Sequence, residues 1–207
     1  MPTLLMRFVA PMQSWGTRSQ FDDRDTDNEP SKSGVVGLLC AALGIPREDS
    51  LRTLELAALR MGVRVDKSGR RFTDYQTAQM GAKKSTVQTW RHYLAEAAFL
   101  VGVEGTNQAL LEQAQTALQN PVFSLSLGRK AFVPSLPIWL PDGLRPESLE
   151  EALKYPTNIS KIESDEPIGT RVILESTVAT GSLRYDQPIS SFAERKYAAR
   201  YVQIGGA

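Results

Sequence analysis

Residues 31–44, Ser31-Lys32-Ser33-Gly34-Val35-Val36-Gly37-Leu38-Leu39-Cys40-Ala41-Ala42-Leu43-Gly44, decide the fold. The serine hydroxyls supply an N-cap for a helix over GVVGLLCAAL, and Gly44 supplies its C-cap. The helix is apolar on every side, so it must lie buried between a sheet and another element. Upstream, TLLMRFV at 3–9 alternates as a strand with Leu4, Met6 and Phe8 on one face. A polar loop joins the two, from Gln13 to Pro30.

Downstream, a short amphipathic helix falls around Leu51–Leu56, followed by alternating strand residues in ALRMGVRV. Lys67-Ser68-Gly69 turns the chain into RRFTDYQT. TVQTWRHYL and AAFLVGVE read as two further strands with a bend near Ala95-Glu96. Asn107 caps a second helix, on which Leu110, Leu111, Ala114, Ala117 and Leu118 share a face, and Asn120-Pro121 stops it. The order strand, helix, strands, helix, strand predicts an α+β chain with a split βαβ, ferredoxin-like sheet and helices on one face. Glycine and proline at 128–146 mark a boundary. Beyond it, RVILEST, GSLRYD and YAARYVQIG predict strands of a smaller β-rich lobe, giving domains at 1–135 and 136–207.

The 207 residues are 42% apolar, enough for a packed core, and no run approaches the roughly 18 apolar residues of a membrane-spanning helix. MPTLLMRFVAP reads as a first strand and not as a signal peptide, and Cys40 stands alone, which excludes a disulfide framework. A cytoplasmic protein fits these features. The net charge is +1, so no global field draws the chain to nucleic acid, but cationic pairs recur at Arg70-Arg71, Lys83-Lys84, Arg129-Lys130 and Arg195-Lys196.

Catalytic signatures are sparse. His92 is the single histidine, which excludes a His–His ribonuclease and an imidazole-rich zinc site. The acidic run from Asp22 to Glu29 does not fit a calcium loop, since Asn28 and Gly34 occupy the positions that need glycine and glutamate; it reads as a solvated loop. Gly34 and Gly37 lack the spacing of a phosphate-binding loop and suit close helix packing. Neither a metal nor a cofactor is expected, and binding is favoured over catalysis. Two features point to RNA. Gln13-Ser14-Trp15-Gly16 puts an indole in a loop, where an exposed ring stacks on splayed bases; the alternative reading of Trp15 is a plug of the core. Gly128-Arg129-Lys130 at a strand end offers close backbone approach and two cations to phosphate.

Read in order, AP-M-Q-S-W-G at 10–16, P-S-K-S-G and its helix at 30–44, D-Y-Q-T at 74–77, Q-T-W-R-H-Y-L at 88–94 and S-L-G-R-K at 126–130 resemble the family-five CRISPR-associated proteins of type I-E Cascade complexes, within the RAMP superfamily. The resemblance covers residues 3–135 well and thins beyond them. It implies a non-catalytic subunit that holds the 5′ handle of the crRNA, caps the Cascade backbone, contacts the large subunit and meets target DNA through the guide duplex. It places Gln13, Trp15, Lys32 and Ser33 near the handle and Arg129 and Lys130 on phosphates. It also places a thumb-like loop at about 75–87, bearing Tyr75, Met80, Lys83 and Lys84, between guide bases; this loop is shorter than the family leads one to expect. Two other readings stand beside it. One is a metal-independent repeat endoribonuclease using His92 with Tyr75 or Tyr93 and a lysine. The other is a purely structural subunit whose basic pairs meet acidic protein surfaces.

Overall fold

The computed structural model describes residues 1–17, 22–80, 85–154, 159 and 171–206. Lys83 and Lys84 therefore lie outside the described residues, as does the tip of the expected thumb. In chain order the elements are β1 (Thr3–Val9), β2 (Met12–Gln13), β3 (Asp23–Arg24), α1 (Lys32–Leu43), α2 (Ser50–Ala57), β4 (Arg60–Lys67), β5 (Arg70–Met80), β6 (Ser85–Ala95), β7 (Ala98–Glu104), α3 (Gln108–Gln119), β8 (Trp139–Arg145), α4 (Leu149–Ala152), β9 (Arg171–Glu175), β10 (Ser182–Pro188) and β11 (Tyr197–Gly205). The protein is a mixed α+β fold built on a large antiparallel sheet.

That sheet has seven strands in the order β10-β11-β9-β4-β7-β1-β8, and the described pairings within it are antiparallel. Strands from both sides of residue 135 share it: β8 pairs with β1, and β9 pairs with β4. Alternation along β1 sends Leu4, Met6 and Phe8 to one face, under α1 and α3, and Leu5 to the other, under Leu149 and Leu153. Both long helices are capped as their sequences dictate. The Ser31 hydroxyl accepts from the Gly34 N–H at 3.3 Å, Gly44 closes α1 in the left-handed region at φ +68°, and the Asn107 side chain accepts from Leu110 N–H at 3.1 Å. Val35, Val36, Leu38, Leu39 and Ala42 of α1 are all buried; each fully buried Leu or Val contributes about 1.5–3 kcal/mol.

A second sheet stands on β6, which pairs antiparallel with β5 and with β2 and parallel with β3. The β5–β6 pairing runs in unbroken register from Arg70↔Ala95 to Met80↔Ser85. Residues 75–80 and 85–87, expected as part of a loop, are thus paired strand. The hairpin follows from its composition, in which Thr, Tyr, Trp and Val favour extended chain. Among the described residues no helix is long and apolar enough to cross a membrane.

Candidate nucleic-acid interface

An open groove of about 590 Å³ lies where α1 begins. Ser31, Ser33 and Gly34 form its floor, and Ser14-Trp15-Gly16, Arg24, Gly128-Arg129 and the segment bearing Phe192, Arg195 and Tyr197 form its walls. These segments are far apart in sequence, and backbone bonds bring them together. Ser14 N–H donates to Leu127 O at 3.1 Å, Asp27 N–H to Trp15 O at 3.2 Å, and Trp15 N–H to the Thr26 hydroxyl at 2.9 Å. Gly128 sits at φ +98° with its Cα facing the Ser14 carbonyl, and a tight turn follows it, closed by Phe132 N–H to Arg129 O at 2.8 Å. The expected strand end at 128–130 is therefore a turn. A Cβ at this position would run into the Ser14 oxygen and force a backbone that only glycine adopts freely. Gly128→Ala is expected to lower the melting temperature and to open the groove wall; an unchanged melting curve would refute the tight apposition.

Among the described residues the groove is lined by Arg24, Arg129 and Arg195 and by no carboxylate. Arg24 lies beside Arg91 in the parallel β3–β6 pair, and the Arg129 guanidinium rests 4.8 Å from the centre of the Tyr93 ring. Burial pushes Arg129 below the usual guanidinium range; Tyr93 and Asp74 act against that, while Arg24 and Arg91 add to it. Among the described residues, the guanidinium groups of Arg24, Arg91, Arg129 and Arg195 have no hydrogen-bond or ion-pair partner. Many of the other arginines are matched, Arg60 to Glu104 and Glu150, Arg64 to Asp66, Arg171 and Arg184 to Glu29, Arg200 to Asp186; Arg52 and Arg70, without a side-chain partner among the described residues, are exposed and stand apart from the groove. Unmatched cations crowded at one groove favour an anionic ligand.

The structure sorts the sequence-predicted residues into three groups. Ser33 and Arg129 meet in the groove. Lys130 is exposed next to it without lining it, and Tyr75 stands apart on the β5–β6 hairpin, 52% exposed and edge-on to Trp90 at 5.7 Å. Gln13, Trp15 and Lys32 are buried, which corrects the expectation that they face RNA. Trp15 is 1% exposed, stacked on Phe8 with centroids 5.4 Å apart and against Gly34, where a Cβ would lie 2.9 Å from the indole. Its indole N–H donates to Gln13 Oε1 at 3.1 Å, and Gln13 Nε2 donates to Ala97 O at 2.8 Å. The indole cannot offer a face to a base. Lys32 gives its ammonium to both Glu175 oxygens at 2.8 Å, and burial lowers its pKa against the opposing pull of Glu175. An apolar helix start beneath a sheet leaves a lysine there no route to solvent, so a carboxylate must come to it.

The acidic run is a solvated loop only in part: Asp22, Asp23 and Asn28 are exposed, but Thr26, Asp27 and Glu29 are tied to the fold. Thr26 and Glu29 are buried, Glu29 bridges Arg171 and Arg184, and Asp27 accepts from the Thr17 hydroxyl at 3.0 Å. His92 is held on the hairpin, Nδ1 2.9 Å from the Thr73 hydroxyl and Nε2 3.4 Å from Asp23. Sequence reading missed Arg24, Arg195 and Tyr197 as groove residues. The Arg195-Lys196 pair was the one available signal, and nothing in the sequence brings it beside residue 129.

The fold and the groove define an α+β protein with an antiparallel sheet and a cationic cleft. The chain belongs to the family described as CRISPR-associated protein (Cas_Cas5), which it matches over residues 3–203. It is 30% identical to the CRISPR system Cascade subunit CasD of Escherichia coli strain K12, over 98% of this chain and 96% of that protein. A solved structure described as a crystal structure of a Cas protein matches with TM-score 0.80 at 48% identity, covering 99% of this chain and 94% of that one. A chain of a CRISPR RNA-guided surveillance complex matches with TM-score 0.76 at 30% identity, covering 99% and 90%.

Proposed function

We propose that this chain is a non-catalytic Cascade subunit that binds the 5′ handle of the crRNA in the groove at the start of α1, caps the backbone of the complex and contacts its large subunit. The carrying observation is that Arg24, Arg129 and Arg195, unmatched, line a groove with no carboxylate among its described lining residues. The groove offers hydroxyls from Ser31 and Ser33 and a close backbone approach at Gly128, a mixture suited to sugar and phosphate. The order β4-β7-β1-β8, with α1 and α3 on one face, supports a ferredoxin-like module, to which β9, β10 and β11 attach as the smaller lobe. The β5–β6 hairpin takes the part of the thumb, its exposed Tyr75 and Trp90 available to stacked bases. In this reading the subunit resides in the cytoplasm and meets target DNA through the guide; its likeness to a Cascade subunit supports both.

The nuclease reading is the weaker one. Both ring nitrogens of His92 already have partners in Thr73 and Asp23, an arrangement that locks a hairpin instead of presenting a base to substrate. The test is fluorescence anisotropy of a labelled handle RNA against a scrambled one, over a salt series and with EDTA, followed by a denaturing gel. Preferential binding without cleavage is expected. Arg129→Ala is expected to make the log K against log salt slope shallower by about 0.7, the value of one single-strand phosphate contact. Discrete cleavage products in EDTA would replace the proposal with the nuclease.

A further inference from the structure

The segment between β10 and β11 carries one residue whose backbone is out of keeping with its side chain. Arg195 sits at φ +54°, in the left-handed region that glycine and asparagine prefer and arginine does not. The strain is not a by-product of a loose loop. Ala193 N–H donates to Arg47 O at 3.0 Å, Glu194 N–H to Ser191 O at 3.1 Å, and Ile189 N–H to Lys196 O at 3.2 Å. Phe192 lies against α1, where a Cβ at Gly37 would be 3.6 Å from its ring. The loop is braced on both sides of Arg195.

The neighbouring cations are spoken for. Lys196 pairs with Glu194 at 2.7 Å, and Arg47 donates to Phe192 O at 3.4 Å. Arg195 is exposed, lines the same groove as Gly128-Arg129, and its guanidinium has no hydrogen-bond or ion-pair partner among the described residues. Tyr197 next to it lines the same wall. Burial raises its pKa, with Arg195 and Arg47 pulling the other way, so at neutral pH its hydroxyl remains a donor facing the groove. A braced loop that spends backbone strain to hold a guanidinium in a groove lined by two other arginines gains no ion pair in the empty protein. It gains when an anion lies between the walls.

We infer that Arg195, with the Tyr197 hydroxyl, is a binding residue that clamps a phosphate of single-stranded RNA from the C-terminal wall of the groove that Arg24 and Arg129 also line. This rests on the reading of the groove as the RNA site. It makes the last strands part of the binding surface, and not only a scaffold. The groove's 590 Å³ is the size of a small-ligand site, which suits a single strand held from two sides and not a duplex.

The strain supplies an unusual test. Glycine adopts φ +54° without cost, so Arg195→Gly should melt at or above the temperature of the parent protein, whereas most losses of a binding residue leave stability unmoved or lower. The same variant should bind a short 5′-labelled oligoribonucleotide more weakly, with a salt slope shallower by about 0.7, and Arg195→Lys should restore most of the slope. Arg195→Gly with the parental affinity and slope, in a protein where Arg129→Ala does lower the slope, overturns the inference and leaves the groove assignment standing. Parental slopes in both variants, or a parent protein that does not bind the oligonucleotide, overturn the groove assignment and the inference together. A fall in melting temperature in Arg195→Gly with an unchanged slope would mark a structural arginine and also refute it.

Discussion

Asp186→Ala costs about 3–5 kcal/mol of folding stability in the expected outcome, a large share of the 5–15 kcal/mol that holds a typical protein folded. Asp186 is 2% exposed and serves three donors: Arg200 Nε at 2.7 Å, Arg200 Nη2 at 2.9 Å and the Lys32 backbone N–H at 2.7 Å. Removing it strands a buried guanidinium and uncaps the first turn of α1 in one step. The contribution is not the attraction of an ion pair as such, because burying two charges costs nearly what their attraction returns. What makes the change severe is that Arg200 and Lys32 remain, buried, with Glu175 alone to serve them. By contrast, breaking the exposed Lys196–Glu194 pair should cost under about 1 kcal/mol. Urea denaturation of the two variants measures the difference, and equal midpoints would show that the buried network does not hold the helix start.

Trp15→Ala is the second large effect, about 3–5 kcal/mol, because it empties the space between Phe8, Gly34 and the first turn of α1. The distinction from a base-stacking tryptophan is sharp. A ring that stacks on RNA can be truncated with little effect on folding and a direct loss of affinity. A ring that plugs the core behind the groove takes stability first, and affinity only because the wall at 14–16 moves. Trp15→Phe, which keeps apolar bulk but drops the hydrogen bond to Gln13, should fall between parent and alanine in stability and keep its RNA salt slope. A Trp15→Ala protein as stable as the parent would return the indole to the surface.

Much of the architecture is legible from residue order. The helix at 31–44 declares itself by Ser31, Gly44 and an apolar interior, and Asn107 and Asn120 bound α3 in the same way. The strands at 3–9 and 60–67 follow from alternation, and the one at 98–104 from a short apolar run that the fold buries on both faces. β8 does not, because Pro141-Asp142-Gly143 reads as a turn; a sheet edge tolerates such residues, and β8 is an edge strand. The candidate site was only half legible, for a related reason. Sequence places Arg129 and Ser33 in plausible chemistry, but nothing local says that Lys32 meets Glu175, that Asp186 caps α1, or that Glu29 joins Arg171 and Arg184. Those pairs span more than a hundred residues, so a lysine at a helix start looks like a phosphate ligand until the sheet delivers its carboxylate. Trp15 reads either way from sequence, as a stacking ring or a core plug, and Gly34 proves to be the small residue that lets it into the core.

The central claim, that RNA lies in the groove between the start of α1, the turn at Gly128 and the loop at Arg195, is tested most directly by photo-crosslinking the full chain to a handle RNA carrying thiouridine and mapping the modified peptides. Crosslinks on the peptides that carry Arg24, Gly128-Arg129 and Phe192–Tyr197 are the expected result. Crosslinks confined to the far edge of the sheet, at β8, with those peptides unmodified, would contradict it.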